Sequence, residues 1–248
     1  MERYRVNING IEVNARYTDE NVRDIFIPLL EKIAEIQREK SGRVLVFLAA
    51  PPGAGKSTLS SFLQDLSLRK GIIKDIQIIG MDGFHKRHDY LKTHTISRDG
   101  KEISMVDVKG APETFDLEKL TERVRLVKAG EKCGWPVYDR LLHDAVDNVI
   151  AVESDVVILE GNYLLLKDAG WRELSEMADL TVFVKAEEQL LKKRLVERRI
   201  ASGHDEEGSL QFVEYSDMYN ARTVLNNSKP ADIELAVLHD GSFVKTQI

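Results

Sequence analysis

Apolar residues recur along this chain at two different periods. Tyr4, Val6 and Ile8, then Ile11, Val13 and Ala15, occupy every second position on either side of Asn9-Gly10. That pair suits a turn needing positive φ at both places, so the spacing predicts an N-terminal β-hairpin. Val22, Ile25, Phe26, Leu29, Leu30, Ile33 and Ile36 then repeat at helical spacing with Thr18 placed as cap, which predicts a long helix over 19–40, bent at Pro28. From residue 43 the period changes again. Apolar, β-rich runs at 44–49, 76–81, 155–160 and 180–185 are separated by helical patterns or longer insertions. The alternation predicts an α/β domain with a parallel sheet and crossover helices. Segment 84–115 is polar, holds three of the six histidines and lacks a period until Asp116 opens a helical run over 117–129. The chain therefore divides into a hairpin-and-helix extension, 1–42, and one main domain, 43–248, in which 84–140 is an insertion on the substrate side.

The run from Val44 into Pro51-Pro52-Gly53-Ala54-Gly55-Lys56-Ser57-Thr58 joins a buried strand to a glycine-bearing turn, and Leu59, Phe62, Leu63 and Leu66 continue it at helical spacing. Strand, loop and helix are the context a phosphate-binding loop requires: backbone N–H groups turned inward, with the positive end of a helix behind them. Pro52, Gly53, Ala54, Gly55, Lys56, Ser57 and Thr58 are thus candidate nucleotide-binding residues. Lys56 would reach the β- and γ-phosphates, and the Ser57 hydroxyl would ligate Mg²⁺. Ala50 replaces the first glycine of the usual pattern and keeps the position small.

Strand C-termini in a parallel sheet open onto the ligand crevice, so Asp82, delivered by the run 76–81, can face a γ-phosphate. Phosphoryl transfer to an alcohol needs a group that takes the hydroxyl proton and aligns the oxygen, and Asp82 is the candidate; the plainer reading of such a residue is a turn or helix cap. Glu160, just beyond the apolar stretch that ends at Leu159, suits a Mg²⁺-bound water and would equally suit substrate. Arg194 and Arg198 lie at i and i+4, with Arg199 beside them, on a helical stretch that also carries Glu187, Glu188 and Glu197. They would either close over a triphosphate or form a solvated face. His85, His88 and His94 lack a nearby cysteine and read as substrate contacts or solvent groups rather than as zinc ligands. The cluster Trp135-Pro136-Val137-Tyr138-Asp139-Arg140 reads as a turn-rich region in which Tyr138, Asp139 and Arg140 would clamp a hydroxylated substrate.

Composition narrows the picture. With 35 Lys plus Arg against 41 Asp plus Glu, the formal net charge is −6, which leaves no broad basic field for nucleic acid. A single cysteine, Cys133, excludes an internal disulfide and a multi-cysteine zinc site, and fits a reducing cytoplasm. No apolar run approaches membrane-spanning length, and the N-terminus has no apolar segment of signal-peptide length, so no membrane partner is expected.

These motifs, in this order, resemble the P-loop kinases that include uridine kinase, bacterial type I pantothenate kinase and phosphoribulokinase. The similarity covers about residues 43–240. It rests on the phosphate loop, Met81-Asp82-Gly83-Phe84-His85, Lys109-Gly110-Ala111-Pro112-Glu113-Thr114-Phe115-Asp116, Pro136-Val137-Tyr138-Asp139-Arg140 and Ile158-Leu159-Glu160-Gly161-Asn162-Tyr163. The nearest subgroup is the set described as fructose-transport-system kinases. The resemblance implies a P-loop NTPase fold with a five-stranded parallel sheet flanked by helices, and a helical lid over 187–205. It also implies ATP with Mg²⁺, Asp82 as catalytic base, and acceptor contacts from 84–140, with His85, Tyr138, Asp139, Arg140, Glu160 and Asn162 as substrate candidates. Tyr138-Asp139-Arg140 departs from the pantothenate kinases. Two functions follow: an ATP-dependent kinase acting on a hydroxyl of a small metabolite (a sugar, nucleoside or pantothenate-like alcohol), or an ATP-binding regulator or interaction protein with slow hydrolysis that gates contacts made through residues 1–42; a homo-oligomer is compatible with either. A GTPase would need an Asn-Lys-x-Asp guanine motif, which the sequence lacks.

Overall fold

The computed structural model describes residues 1–8, 10–98, 100–139 and 141–246. Asn9 of the predicted turn and Arg140 of the predicted clamp lie outside the described residues. β1 (Glu2–Ile8) and β2 (Ile11–Tyr17) pair antiparallel, with Ile8 opposite Ile11. Thr18 caps the helix that follows by accepting from the Asn21 N–H at 3.0 Å. That helix runs as α1 (Asp19–Asn21), a π-wound turn over Val22–Phe26, and α2 (Ile27–Glu39). Pro28 sits in the first turn of α2, where a missing N–H costs least, and the Ile27 N–H reaches back to the Val22 carbonyl.

β3 (Val44–Ala49) is buried at every position. Its residues alternate between two cores, Val44, Val46 and Leu48 on one side of the sheet and Leu45, Phe47 and Ala49 on the other, which is why its sequence is a continuous apolar run rather than an alternating one. α3 (Lys56–Lys70) and β4 (Ile76–Gly80) follow. The insertion then folds as α4 (His88–Thr93), a hairpin of β5 (Thr95–Arg98) and β6 (Lys101–Ser104), and α5 (Leu117–Lys128), which Asp116 caps through the Lys119 N–H. Residues 135–139, expected as part of a turn-rich region, instead belong to the strand β7 (Cys133–Asp139), paired antiparallel with β8 (Asp144–Val152). The chain returns to the main sheet with β9 (Val156–Gly161), α6 (Trp171–Ser175) and β10 (Leu180–Ala186). It ends with α7 (Glu188–Ala201), α8 (Glu206–Phe212), a second π-wound turn over Val213–Asp217, α9 (Met218–Asn227), β11 (Ile233–Val237) and β12 (Phe243–Lys245).

The main sheet has the order β12-β11-β10-β3-β9-β4. β11, β10, β3, β9 and β4 are mutually parallel, and β12 adds an antiparallel edge. The sheet thus contains the five parallel strands expected, with one more strand at its rim. β3 lies at the centre with β9 on one side and β10 on the other; the connection from β3 runs one way, to β4, and that from β9 the other way, to β10, so a crevice opens beyond the C-terminal ends of these neighbouring strands. The N-terminal extension is stitched to this body. Tyr17 and Phe26 pack on Phe62 of α3 at ring distances of 4.1 and 5.7 Å, and the Tyr4 hydroxyl meets Ser61 Oγ at 2.8 Å. Among the described residues no helix is long and apolar enough to cross a membrane.

Candidate active site

The phosphate loop begins where β3 ends. Gly53 and Gly55 have φ of 84° and 92°, values a side chain tolerates poorly and a tight inward-turned loop needs. Gly55 is also the residue before α3, and no side chain caps that helix, so its first N–H groups point at the crevice without an internal acceptor. A Cβ on Gly53 would stand 3.0 Å from Leu195 Cγ and 3.2 Å from the Leu191 carbonyl. Close packing of α7 on the loop therefore requires glycine there.

Beyond the loop, register fixes the carboxylates. Glu160 pairs with Leu48 on one side and Gly80 on the other, which places its side chain beside α3. There the Ser57 hydroxyl donates to Glu160 Oε2 at 2.7 Å. Burial pushes the Glu160 carboxyl above the usual carboxylate range and Asp82 adds to the rise, while Lys56 and the Ser57 hydrogen bond pull it down. Asp82 lies in a short 3-10 turn over Met81–Phe84 after β4. That turn is clamped: Trp135 Nε1 donates to the Gly80 carbonyl at 2.8 Å, the Phe84 and Trp135 rings meet edge to face at 4.8 Å, and the His85 ring nitrogen Nδ1 lies 2.8 Å from the Asp82 carbonyl. Gly83 touches β7 so closely that a Cβ would fall 2.1 Å from the Pro136 carbonyl oxygen.

Lys56, Ser57, Asp82, Tyr138 and Glu160 all line one cleft of about 200 Å³, so five of the residues anticipated from sequence meet at one place. The others fall around it. The Arg194 guanidinium lies over the phosphate loop, with Nη1 at 3.5 and 3.4 Å from the Gly53 and Ala54 carbonyls, and burial lowers its pKa. Arg198 is exposed one turn further along α7, where its charge acts on Asp217. The His85 ring lies tilted against Phe115 at 4.0 Å and against Tyr138 at 5.2 Å. Asp139 is used in the β7–β8 turn, its Oδ1 accepting from the Leu141 and Leu142 N–H groups at 2.8 and 3.0 Å. Asn162 Oδ1 is buried with no hydrogen-bond partner among the described residues. Burial raises the Cys133 thiol pKa, which keeps it a poor nucleophile.

Sequence reasoning passed over a second group near the cleft. Tyr163, fully buried, donates its hydroxyl to the Gly110 carbonyl, and the charges of Glu113, Arg98, Asp82 and Asp217 all act on it. Arg98 and Asp217 come from a short hairpin and a π-wound turn with no distinguishing period, so only the fold brings them to Tyr163.

The oxygens of Ser57 and Glu160 fit a small hard cation: two ligands of the right chemistry side by side, with space for water and phosphate oxygens, which is how Mg²⁺ is usually held.

Comparison with known proteins identifies the family. Residues 45–241 match the Phosphoribulokinase / Uridine kinase family. The chain is 38% identical over 239 residues to the Escherichia coli protein named "Uncharacterized protein YggC", covering 96% of this chain and 97% of that one. It is 31% identical to a Schizosaccharomyces pombe protein named "Putative uridine kinase", over 79% of this chain and 84% of the other. Among solved structures, a "putative fructose transport system kinase" from Silicibacter sp. superposes with a TM-score of 0.72 at 31% identity, covering 83% of this chain and 98% of that one.

Proposed function

The chain belongs to the Phosphoribulokinase / Uridine kinase family, and from that premise we propose that it is an ATP-dependent phosphotransferase acting on a hydroxyl of a small metabolite. The observation that carries the reading is the placement of Asp82 in the same cleft as Lys56, Ser57 and Glu160. A carboxylate opposite a phosphate loop is what separates transfer to an alcohol from nucleotide binding alone.

In this reading the loop N–H groups and Lys56 hold the β- and γ-phosphates of ATP. Ser57 and Glu160 would hold Mg²⁺, whose charge would offset that of the phosphates. Asp82 accepts the proton of the acceptor hydroxyl as its oxygen forms a bond to the γ-phosphorus, the bond from that phosphorus to the β–γ bridging oxygen breaks, and ADP leaves. The clamp on the turn Met81–Phe84 keeps Asp82 from drifting, which matters because misplacement of a reacting group by about 1 Å costs on the order of 10²-fold in rate. Arg194, already over the loop, and Arg198 one turn away offset the negative charge of the transferring group.

The test is ADP release with ATP and Mg²⁺ against a panel of nucleosides, sugars, polyols and pantothenate, with acceptor-free ATP as blank. One acceptor should raise turnover well above the blank, and Asp82→Asn should abolish that increment by about 10²–10⁴-fold while sparing ATP binding. A flat panel with tight ATP binding would replace this reading with a nucleotide-gated regulator. Full phosphorylation by the Asn variant would remove Asp82 from the role of base.

A further inference from the structure

Lys109 opens the motif Lys109-Gly110-Ala111-Pro112-Glu113-Thr114-Phe115-Asp116, to which the transfer reaction assigns no role. The backbone on either side of it is pinned. Val108, before it, is fully buried. Gly110, after it, has φ of 103°, donates its N–H to Thr114 Oγ1 at 3.1 Å and accepts from the buried Tyr163 hydroxyl. The half-buried Lys109 side chain therefore starts from a fixed point. At its far end the ammonium makes two contacts: Nζ donates to the His143 carbonyl at 2.9 Å and lies 4.7 Å from the centroid of the Tyr138 ring. A cation so placed holds the ring through its negative face and the carbonyl through a charge-assisted hydrogen bond.

Both contacts fall on the β7–β8 hairpin, and one of them is on the wall of the cleft. Tyr138 lines the cleft with Asp82, whereas Lys109 stands outside it. The tip of the hairpin has little to fix it from within. His143 has φ of 52°, uncommon for a residue other than glycine, and Leu141 and Leu142 are 93% and 66% exposed. Asp139 ties the turn to itself through the Leu141 and Leu142 N–H groups, and Arg87 Nη1 donates to the Ala145 carbonyl at the start of β8. Lys109 spans both the tip and the Tyr138 ring, and so joins the cleft wall to the buried body of the insertion.

We infer that Lys109 is a positioning residue for the acceptor side of the cleft, acting through Tyr138: its ammonium holds that ring and the hairpin tip where a bound acceptor meets them. The role belongs to the kinase proposed above and so rests on that reading. Lys56 and Ser57 are carried by α3 and Asp82 by the turn Met81–Phe84, so acceptor binding depends on Lys109 while ATP binding and the transfer step do not.

The experiment pairs acceptor kinetics with amide exchange on the full chain. With the best acceptor of the panel of nucleosides, sugars, polyols and pantothenate, Lys109→Met should raise the acceptor KM about fivefold or more and leave kcat and the ATP KM within about twofold. Lys109→Arg, which keeps the cation and its donors, should restore the acceptor KM. In a Tyr138→Ala background, Lys109→Met should add about twofold or less, because its effect passes through that ring. Exchange with a non-hydrolysable ATP analogue and Mg²⁺ bound should quicken in β7 and β8 of the Met variant but not of the Arg variant, with β3 and β9 unchanged. A fall in kcat at constant acceptor KM, no restoration by arginine, the full effect persisting without the Tyr138 ring, or unaltered exchange in β7 and β8 overturns the inference. Turnover of an acceptor whose KM is indifferent to Lys109 sinks the inference and leaves the kinase standing. If no member of the panel is phosphorylated, the kinase reading falls and exchange decides: quickening confined to β7 and β8 keeps Lys109 as the holder of Tyr138, and quickening spread over the sheet removes it.

Discussion

Glu160 is a carboxylate held where burial penalises its charge, with only the Ser57 hydroxyl at 2.7 Å and the Lys56 charge to compensate. Its pKa is raised in the folded chain relative to the unfolded one. Its contribution to stability is therefore fully present below the ordinary carboxylate pKa and is lost as pH rises through the raised folded value. Glu160→Gln removes the charge but keeps the shape and a hydrogen-bonding oxygen for Ser57. The variant should melt about 2–4 °C above the wild type near neutral pH, the shift expected from about 1 kcal/mol in a chain of this size, and the gap should close in acid. The same substitution takes an anionic ligand from Mg²⁺, so acceptor phosphorylation should fall by about 10²-fold. Thermal melts across the pH range, run beside the ADP assay, check both halves. A variant less stable than the wild type near neutral pH would mean that Glu160 is a structural hydrogen-bond partner rather than a site held ready for a cation.

Asp82 depends on elements as much as on its own chemistry, because the turn Met81–Phe84 is set by β4 beneath it and by β7 across it. Gly83→Ala would drive a methyl group into the Pro136 carbonyl, 2.1 Å from the new Cβ. Neither backbone yields without moving Asp82 or the Trp135 bond to Gly80. Turnover should drop by about 10²-fold or more with ATP binding within about threefold of the wild type, since Lys56 and α3 are untouched. An active Gly83→Ala enzyme would show that the turn floats. The two sides of this junction were not equally legible in the sequence. β4 and the phosphate loop carry their signals locally, an apolar run and a glycine-bearing turn of fixed spacing. β7 is interrupted by Pro136 and shifts register between Trp135 and Val137, and these breaks in alternation make a strand read as a loop. The hairpin β5–β6, four residues to each strand, is too short to establish a period at all. The π-wound turns over Val22–Phe26 and Val213–Asp217 interrupt helices whose spacing looks uniform from outside.

At the scale of the whole molecule, the site divides into a half built from neighbours in sequence and a half built from neighbours in space. Gly53 to Thr58 form a single stretch, whereas Asp82, Tyr138 and Glu160 reach one cleft from three separate elements, the turn Met81–Phe84, β7 and β9. The N-terminal extension follows the same rule. Its hairpin and helix were legible from period alone, yet what fixes them is remote: Asn21 Nδ2 donates to the Phe243 carbonyl and Asn21 Oδ1 accepts from the Phe243 N–H, each at 2.7 Å and buried. These paired bonds join the first helix to β12 at the rim of the sheet, across 222 residues of chain. Asn21→Ala would leave both backbone groups of Phe243 buried without partners, which costs about 2–4 kcal/mol. The loss should be regional, because the phosphate loop and β3 are held by other contacts. Denaturant unfolding should therefore register the full loss, while amide exchange should accelerate in residues 1–42 and in β12 before it does in β3 or β9. Exchange that rises uniformly over the sheet would mean that the extension and the catalytic body unfold as one unit. Regional acceleration would mean that the first helix is a separately removable brace, and the variant should then keep its ATP affinity despite the lost stability.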